Sequence, residues 1–346
     1  MSTTQAGHSP YLPVREEWLA LTQEEIIDPG LPIIDPHHHL WDRDGWRYMP
    51  HDLLADVGSG HSIIATVFVQ ARAFHKADGP EAMRPIGETE FVNGAAAMGA
   101  SGLYGPGRIC AGIVGHADLR LGDGVTKVLE AHVRAGGDRF RGIRHIVAWD
   151  NDPLLLNPGN PAPAGLLADT KFREGFARLA PMDMTFEGWL YHPQIPELTD
   201  LARAFPGTQI VLNHVGGPIG IGRFAGKHAE VFPGWAASIK ELAACPNVSV
   251  KLGGLGMRVN GFGFETQAKP PGSDALAAAW KPYIETCIEA FGTGRSMFES
   301  NFPVDKGSYS YPVFWNACKK LAAGASASEK ADLFVGTASR FYRLGL

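Results

Sequence analysis

Cysteine is sparse: 346 residues contain four, at positions 110, 245, 287 and 318, and no two of them have a C-x-x-C spacing. That argues against a zinc ribbon and a redox dithiol, and it predicts reduced, largely buried thiols in a cytoplasmic protein. Charge is also thin, at 19% of the chain, and its formal balance of -5 is not gathered into basic clusters. Neither nucleic acid nor an anionic membrane surface is therefore an expected partner. The first thirty residues lack a basic start leading into an apolar run, and no window reaches the length of a membrane span, so neither a secretory leader nor a transmembrane helix is expected. No internal repeat is evident. An apolar content of 45% supports a full-sized core, and a small molecule is the substrate class that fits.

Eight apolar runs rich in Val and Ile, bounded by Gly, Pro or charge, give a recurring strand signal at 31–36, 62–71, 108–119, 139–148, 184–192, 208–216, 247–254 and 296–303. Helix-like segments lie between most of them. Strands that are apolar throughout and alternate with amphipathic helices predict an α/β fold with a parallel sheet covered on both faces. Eight such units close into a (β/α)8 TIM barrel. Three irregular stretches, 150–165, 216–234 and 253–272, each follow a strand and are read as long βα loops shaping a pocket. The glycines at 216, 217, 220 and 222 lack a dinucleotide fingerprint and a following Gly-Lys-Ser/Thr, so they read as turn punctuation. Residues 1–30 form an N-terminal arm and 31–346 the barrel. One short helix is expected in "REEWLALTQEEII", capping the bottom of the barrel or mediating a subunit contact, which leaves a homo-oligomer open.

The stretch "IIDPHHHLWD" places three histidines at the exit of the first strand. Alternation along an extended chain sends His37 and His39 one way and His38 the other, so the useful unit is His-x-His, two imidazoles able to approach one metal ion. The carboxyl ends of the other strands are similarly polar: Gln70, His116, Arg144 with His145, His192, His214, Lys251, and Asn301 with Asp305. Singly, each has an ordinary structural explanation; His116, close to Asp118, reads as a hydrogen-bonded loop residue. Together, on the face where barrel enzymes build their sites, they predict a functional site. Gln70, Arg144 and His145 are the substrate-binding candidates, Arg144 for its planar two-point grip on a carboxylate. Lys251 is expected to stabilise charge on the product.

The motifs "IIDPHHHLWD", "VFVQA", "GIVGHADL", "RGIRH", "VLNHVGGP", "VSVKLGGLG" and "MFESNFPVD", in this order, resemble the amidohydrolase superfamily. They are most similar to its amidohydrolase-related (amidohydrolase 2) branch, which contains lactonases acting on sugar acids and aromatic-degradation intermediates. The resemblance runs from about residue 31 to the carboxyl terminus. It implies a (β/α)8 barrel, a His-x-His matching His37 and His39, a strand-five histidine matching His192 and a strand-six histidine matching His214. In many members these hold one divalent, zinc-like ion; some lactonases of the branch work without a metal. The branch's strand-eight aspartate, a metal ligand or proton acceptor, is replaced by Asn301 within Ser300-Asn301-Phe302-Pro303. Asparagine cannot be a general base. Glu299 is read as alternating away from Asn301, which leaves Asp305 for that role. The function expected on this resemblance is a hydrolase opening a lactone, or less readily an amide, of a small carboxylate-bearing molecule. His37, His39 and His192 would polarise the carbonyl directly or through a metal ion, with a carboxylate activating water. The alternatives are a metal-dependent, non-oxidative decarboxylase of an aromatic acid and an inactive metabolite-binding barrel, the latter resting on Asn301 alone.

Overall fold

The structure, a computed structural model, describes residues 11–43, 45–155 and 162–346; the start of the expected arm and the middle of the Pro-rich loop lie outside the described residues. The chain forms the expected (β/α)8 barrel. Its strands are β1 (Pro32–His38), β2 (Ser62–Val69), β3 (Arg108–Gly115), β4 (Phe140–Ile146), β5 (Thr185–Trp189), β6 (Ile210–Leu212), β7 (Val248–Leu252) and β8 (Ser296–Phe298). Each pairs in parallel with the next. Helices such as Ile86–Ala100, Thr126–Gly136 and Ser273–Phe291 pass between them on the outside. The strands are apolar on both faces because one face meets this helix layer and the other meets the barrel interior.

β8 and β1 are joined by side chains and single backbone bonds rather than by a ladder. Asn301 N–H donates to the His37 carbonyl at 2.9 Å and His39 N–H to the Phe302 carbonyl at 2.8 Å. The Asp35 carboxylate accepts from Ser300 N–H at 3.0 Å, from the Ser300 hydroxyl at 2.6 Å and from the Tyr311 hydroxyl at 2.9 Å. Burial pushes the Asp35 carboxyl up to about 6 even against these donors. The seam thus brings "DPHHH" and "SNF" edge to edge.

Inside the barrel, Ile34, Val67, Val114, Val211 and Met297 pack against Ala338, Phe341 and Tyr342 of the last helix, Thr337–Tyr342. This C-terminal helix, not the N-terminal arm, contributes the packing below the site. The arm's helix is a single turn, Glu16–Leu19. Arg15 donates to the Glu265 carbonyl at 2.6 Å, the Trp18 indole to Gln267 at 3.0 Å and the Thr22 hydroxyl to Pro270 at 2.7 Å. Those carbonyls belong to the loop after β7, at the carboxyl end of the barrel. The expectation of a bottom cap is therefore corrected, since the arm's donors find partners in the backbone carbonyls of a rim loop. All four cysteines are buried free thiols. Among the described residues no helix is long and apolar enough to cross a membrane.

Candidate active site

Alternation along β1 holds as expected. His38 turns away, its Nε2 2.8 Å from the Thr66 hydroxyl, while His37 and His39 share the interior, ring centroids 4.9 Å apart. Burial pushes His38 down to about 3, so that ring is neutral. His39 has Nδ1 2.7 Å from the Val69 carbonyl and Nε2 3.3 Å from Asn301 Oδ1; both oxygens accept, and the shorter contact draws the ring proton to Nδ1.

Arg144 NH1 lies 3.2 Å from His37 Nε2. The guanidinium donates to that nitrogen; at Nδ1, Glu299 Oε2 is 2.7 Å away in a close contact rather than an aligned hydrogen bond, and the Lys251 ammonium is 3.1 Å away. The other oxygen of the same carboxylate, Oε1, accepts from His214 Nδ1 at 2.7 Å and from the His214 backbone N–H at 3.1 Å. Glu299 is therefore bracketed by two imidazoles whose centroids are 4.6 Å apart. His37, His214 and Glu299 form a group, found among the described residues, whose ligand atoms all lie within 4.8 Å of one another.

Two glycines after β7 make this geometry possible. A Cβ on Gly253 would stand 2.1 Å from the Glu299 carbonyl oxygen, and one on Gly254, whose φ is +69°, would stand 2.3 Å from His214 Nδ1. Trp189 holds the other side of His214, edge-on at 4.7 Å. Gly254→Ala is accordingly expected to cost about a hundredfold in turnover by displacing His214. Steady-state kinetics beside a thermal melt will separate that loss from unfolding.

Lys251 is fully buried beneath His37. Its ammonium donates to Glu187 Oε1 and Oε2 at 3.0 and 2.9 Å and to the Pro36 carbonyl at 2.8 Å, and it is 3.1 Å from His37 Nδ1. Glu187 also accepts from Asn213 Nδ2 at 2.9 Å and from the Tyr342 hydroxyl. Lys251 thus braces the floor of the site, with its donors already engaged by protein acceptors, rather than lining the wall where a product would sit. Burial, then the nearby Lys251, His214, His39 and Arg144, hold His37 well below the ordinary histidine range and keep it neutral.

Arg144 does face the site. NH2 donates to the Gln70 carbonyl, while Nε and both ends of the buried Gln70 amide have no partner among the described residues. His145, next along β4, points the opposite way: its ring meets His116 and Phe172, each at 5.3 Å, and Nδ1 accepts from Leu119 N–H at 3.5 Å. The expected pairing of Arg144 with His145 on one ligand fails because adjacent strand residues face opposite sides. His192 is also displaced. β5 ends at Trp189, and His192 opens a separate turn in which Nδ1 accepts from Ile219 N–H at 3.2 Å and the ring rests on Phe224 at 5.1 Å. The grouping of His37, His39 and His192 expected for a metal is therefore not the one the structure brings together. Asp305 stands behind Asn301: Oδ1 accepts from Asn301 Nδ2 at 2.9 Å, and Oδ2 from Gly256 N–H at 3.0 Å and the Tyr309 hydroxyl at 2.5 Å. Burial raises its carboxyl to about 7.

Glu187 and Glu299 are absent from the expected site, although both carried a signal. Each is an acid inside an apolar strand run, "MTFEGW" and "SMFESNF", where a buried carboxylate has to be paired.

The donor types here suit a zinc-like ion, with imidazoles oriented by second partners. The electrostatic setting does not. Both nitrogens of His37 already face protein cations, Lys251 at 3.1 Å and Arg144 at 3.2 Å. Glu187 and Glu299 are balanced by the same two groups, and the strand-eight position offers an amide in place of a carboxylate. A dication would have to displace Arg144 or sit against Lys251.

A family model described as amidohydrolase matches residues 34–344. The chain belongs to the amidohydrolase family. It is a hydrolase. An uncharacterized protein from Sinorhizobium fredii, y4mH, is 33% identical over 91% of this chain and 99% of its own length. An L-fucono-1,5-lactonase from Burkholderia multivorans is 27% identical over 90% of this chain and 96% of its own. Among solved structures, an amidohydrolase from the same Burkholderia species with bound zinc superposes with a TM-score of 0.70 at 26% identity, covering 90% of this chain and 99% of that one.

Proposed function

We propose that this amidohydrolase opens the lactone ring of a small carboxylate-bearing molecule, with His214 as the base and Arg144 as the electrophilic group. The observation that carries the proposal is the Glu299 carboxylate 2.7 Å from Nδ1 of both His214 and His37. A carboxylate fixing the Nδ1–H tautomer leaves Nε2 as the basic nitrogen, the arrangement by which a neutral imidazole takes a proton from water. His37 cannot do this because Arg144 occupies its Nε2. Water attacks the lactone carbonyl, its proton passes to His214 Nε2, and charge develops on the carbonyl oxygen beside the Arg144 guanidinium. When the ring C–O bond breaks, His214 returns the proton to the leaving oxygen, giving a hydroxy acid. Glu299 stabilises the transient imidazolium. Gln70 and the remaining Arg144 donors are the groups available for a substrate carboxylate. The lactonase name among the relatives supports this choice over an amide.

The test is acid release at constant pH from a panel of sugar lactones and unsaturated lactones, beside carbon dioxide release from hydroxybenzoates. Acid from a lactone supports the proposal; carbon dioxide alone would replace it with the decarboxylase. Because Arg144 and Lys251 already flank His37, exhaustive chelation is expected to leave lactone turnover unchanged, with metal analysis confirming removal. A loss that zinc restores would return the metal to the reaction.

A further inference from the structure

One flank of the site comes from outside the barrel repeat. After β1 the chain makes a short antiparallel hairpin in which Trp41 pairs with Tyr48 and Arg43 with Trp46. Trp41 stacks on His39 at 5.6 Å with the planes 20° apart, and Trp46 meets Trp41 at 4.3 Å. Tyr11 of the N-terminal arm closes the series, 5.0 Å from Trp46 and 6.5 Å from Trp41. The aromatic ladder thus runs outward from the site and ends on a residue of the arm. Trp41 is buried, whereas Tyr11 and Trp46 are partly open. The Tyr11 hydroxyl is within electrostatic reach of Arg144 on β4 and of Tyr191 beyond β5, which come from other strands than the hairpin. Its place is held by the residues that follow. Leu12 is buried against Gly307, where an added Cβ would stand 2.4 Å from the Leu12 Cβ, and Arg15, Trp18 and Thr22 tie the arm to the loop after β7.

We infer that the described part of the N-terminal arm, through Tyr11, completes the substrate site and that Tyr11 is a specificity-determining residue. The ligand is a ring with one apolar face, laid against the Trp46 and Tyr11 rings, and a hydroxyl or carboxylate on its edge that bonds the Tyr11 hydroxyl. Aromatic faces take the apolar side of a ring while the phenol supplies directional polarity. The identity of the ligand rests on the lactone reading; the position of Tyr11 does not.

The probes are L-fucono-1,5-lactone, rich in hydroxyls, and 2-pyrone-4,6-dicarboxylate, planar with two carboxylates. For whichever is hydrolysed, Tyr11→Phe is expected to raise KM about tenfold, the usual effect of losing one hydrogen bond. Tyr11→Ala should raise it further, and kcat should move little in either. A fall in kcat with KM unchanged, or no change in either constant, overturns the assignment. If the wild-type protein hydrolyses neither probe, the lactone reading fails on its own terms, and tryptophan fluorescence titration with the same two compounds decides Tyr11. Quenching present in the wild type and lost in Tyr11→Ala supports the arm as part of the pocket; quenching equal in both, or absent from the wild type, overturns it.

Discussion

Glu299→Gln is expected to lower kcat by roughly a hundredfold or more, because the base His214 loses the carboxylate that orients it and stabilises its imidazolium, while the chain stays folded. Oε1 of the carboxylate accepts from His214 Nδ1 at 2.7 Å, and Oε2 lies in close contact with His37 Nδ1 at the same distance. An amide carries no charge to stabilise the His214 imidazolium, and its NH2 is forced against either the His214 Nδ1–H or the His37 ring. His214→Asn should cost a similar factor by removing Nε2 itself. Because the two residues act as one unit, the double variant should be little worse than either single one, and that non-additivity is what a purely structural role would not produce. Single variants that each retain most of the activity would end the assignment of His214 as base.

Lys251→Met is expected to destabilise the protein by about 3–5 kcal/mol, the cost of leaving one member of a buried ion pair alone. Glu187 would be left fully buried without its cation, with Asn213 and Tyr342 as its remaining donors. Removing the acid as well, in Lys251→Met with Glu187→Leu, should recover most of the loss, since replacing a whole buried pair by apolar groups is often neutral. Denaturant midpoints of the two variants decide the point. A single variant as stable as the wild type would show that Lys251 does not brace the floor.

Strand existence was legible because parallel barrel strands are buried on both faces and leave uninterrupted apolar runs. Strand ends were less so. The run "MTFEGWLYH" continues three residues past the end of β5 at Trp189, and this carried His192 onto an assumed strand end when it belongs to the following turn. Where alternation operates, as at His37, His38 and His39, the orientation followed from the sequence; the same rule, applied to Arg144 and His145, should have separated them. Glu299 was misplaced for a different reason. β8 ends at Phe298 and Asn301 adopts φ +56°, so the segment holding the acid is not an extended strand and its side chains do not follow strand periodicity. The arm was placed at the wrong end of the barrel because its donors meet carbonyls of residues 265–270, a contact between distant segments that no local pattern encodes.

The seam between β8 and β1 ties the appearance of activity to the last act of folding. His39 and Asn301 are 262 positions apart, and the bonds that close the barrel run between the segments carrying His37, His39 and Glu299. Ordering contacts of such long sequence separation has to follow the more local pairings, because the entropy of closing so large a loop is repaid only by what already stands on either side. A chain cut before β8 therefore lacks Glu299, Asn301 and the seam that sets them against His37 and His39, and in a refolding experiment enzyme activity should return no earlier than the slowest structural signal.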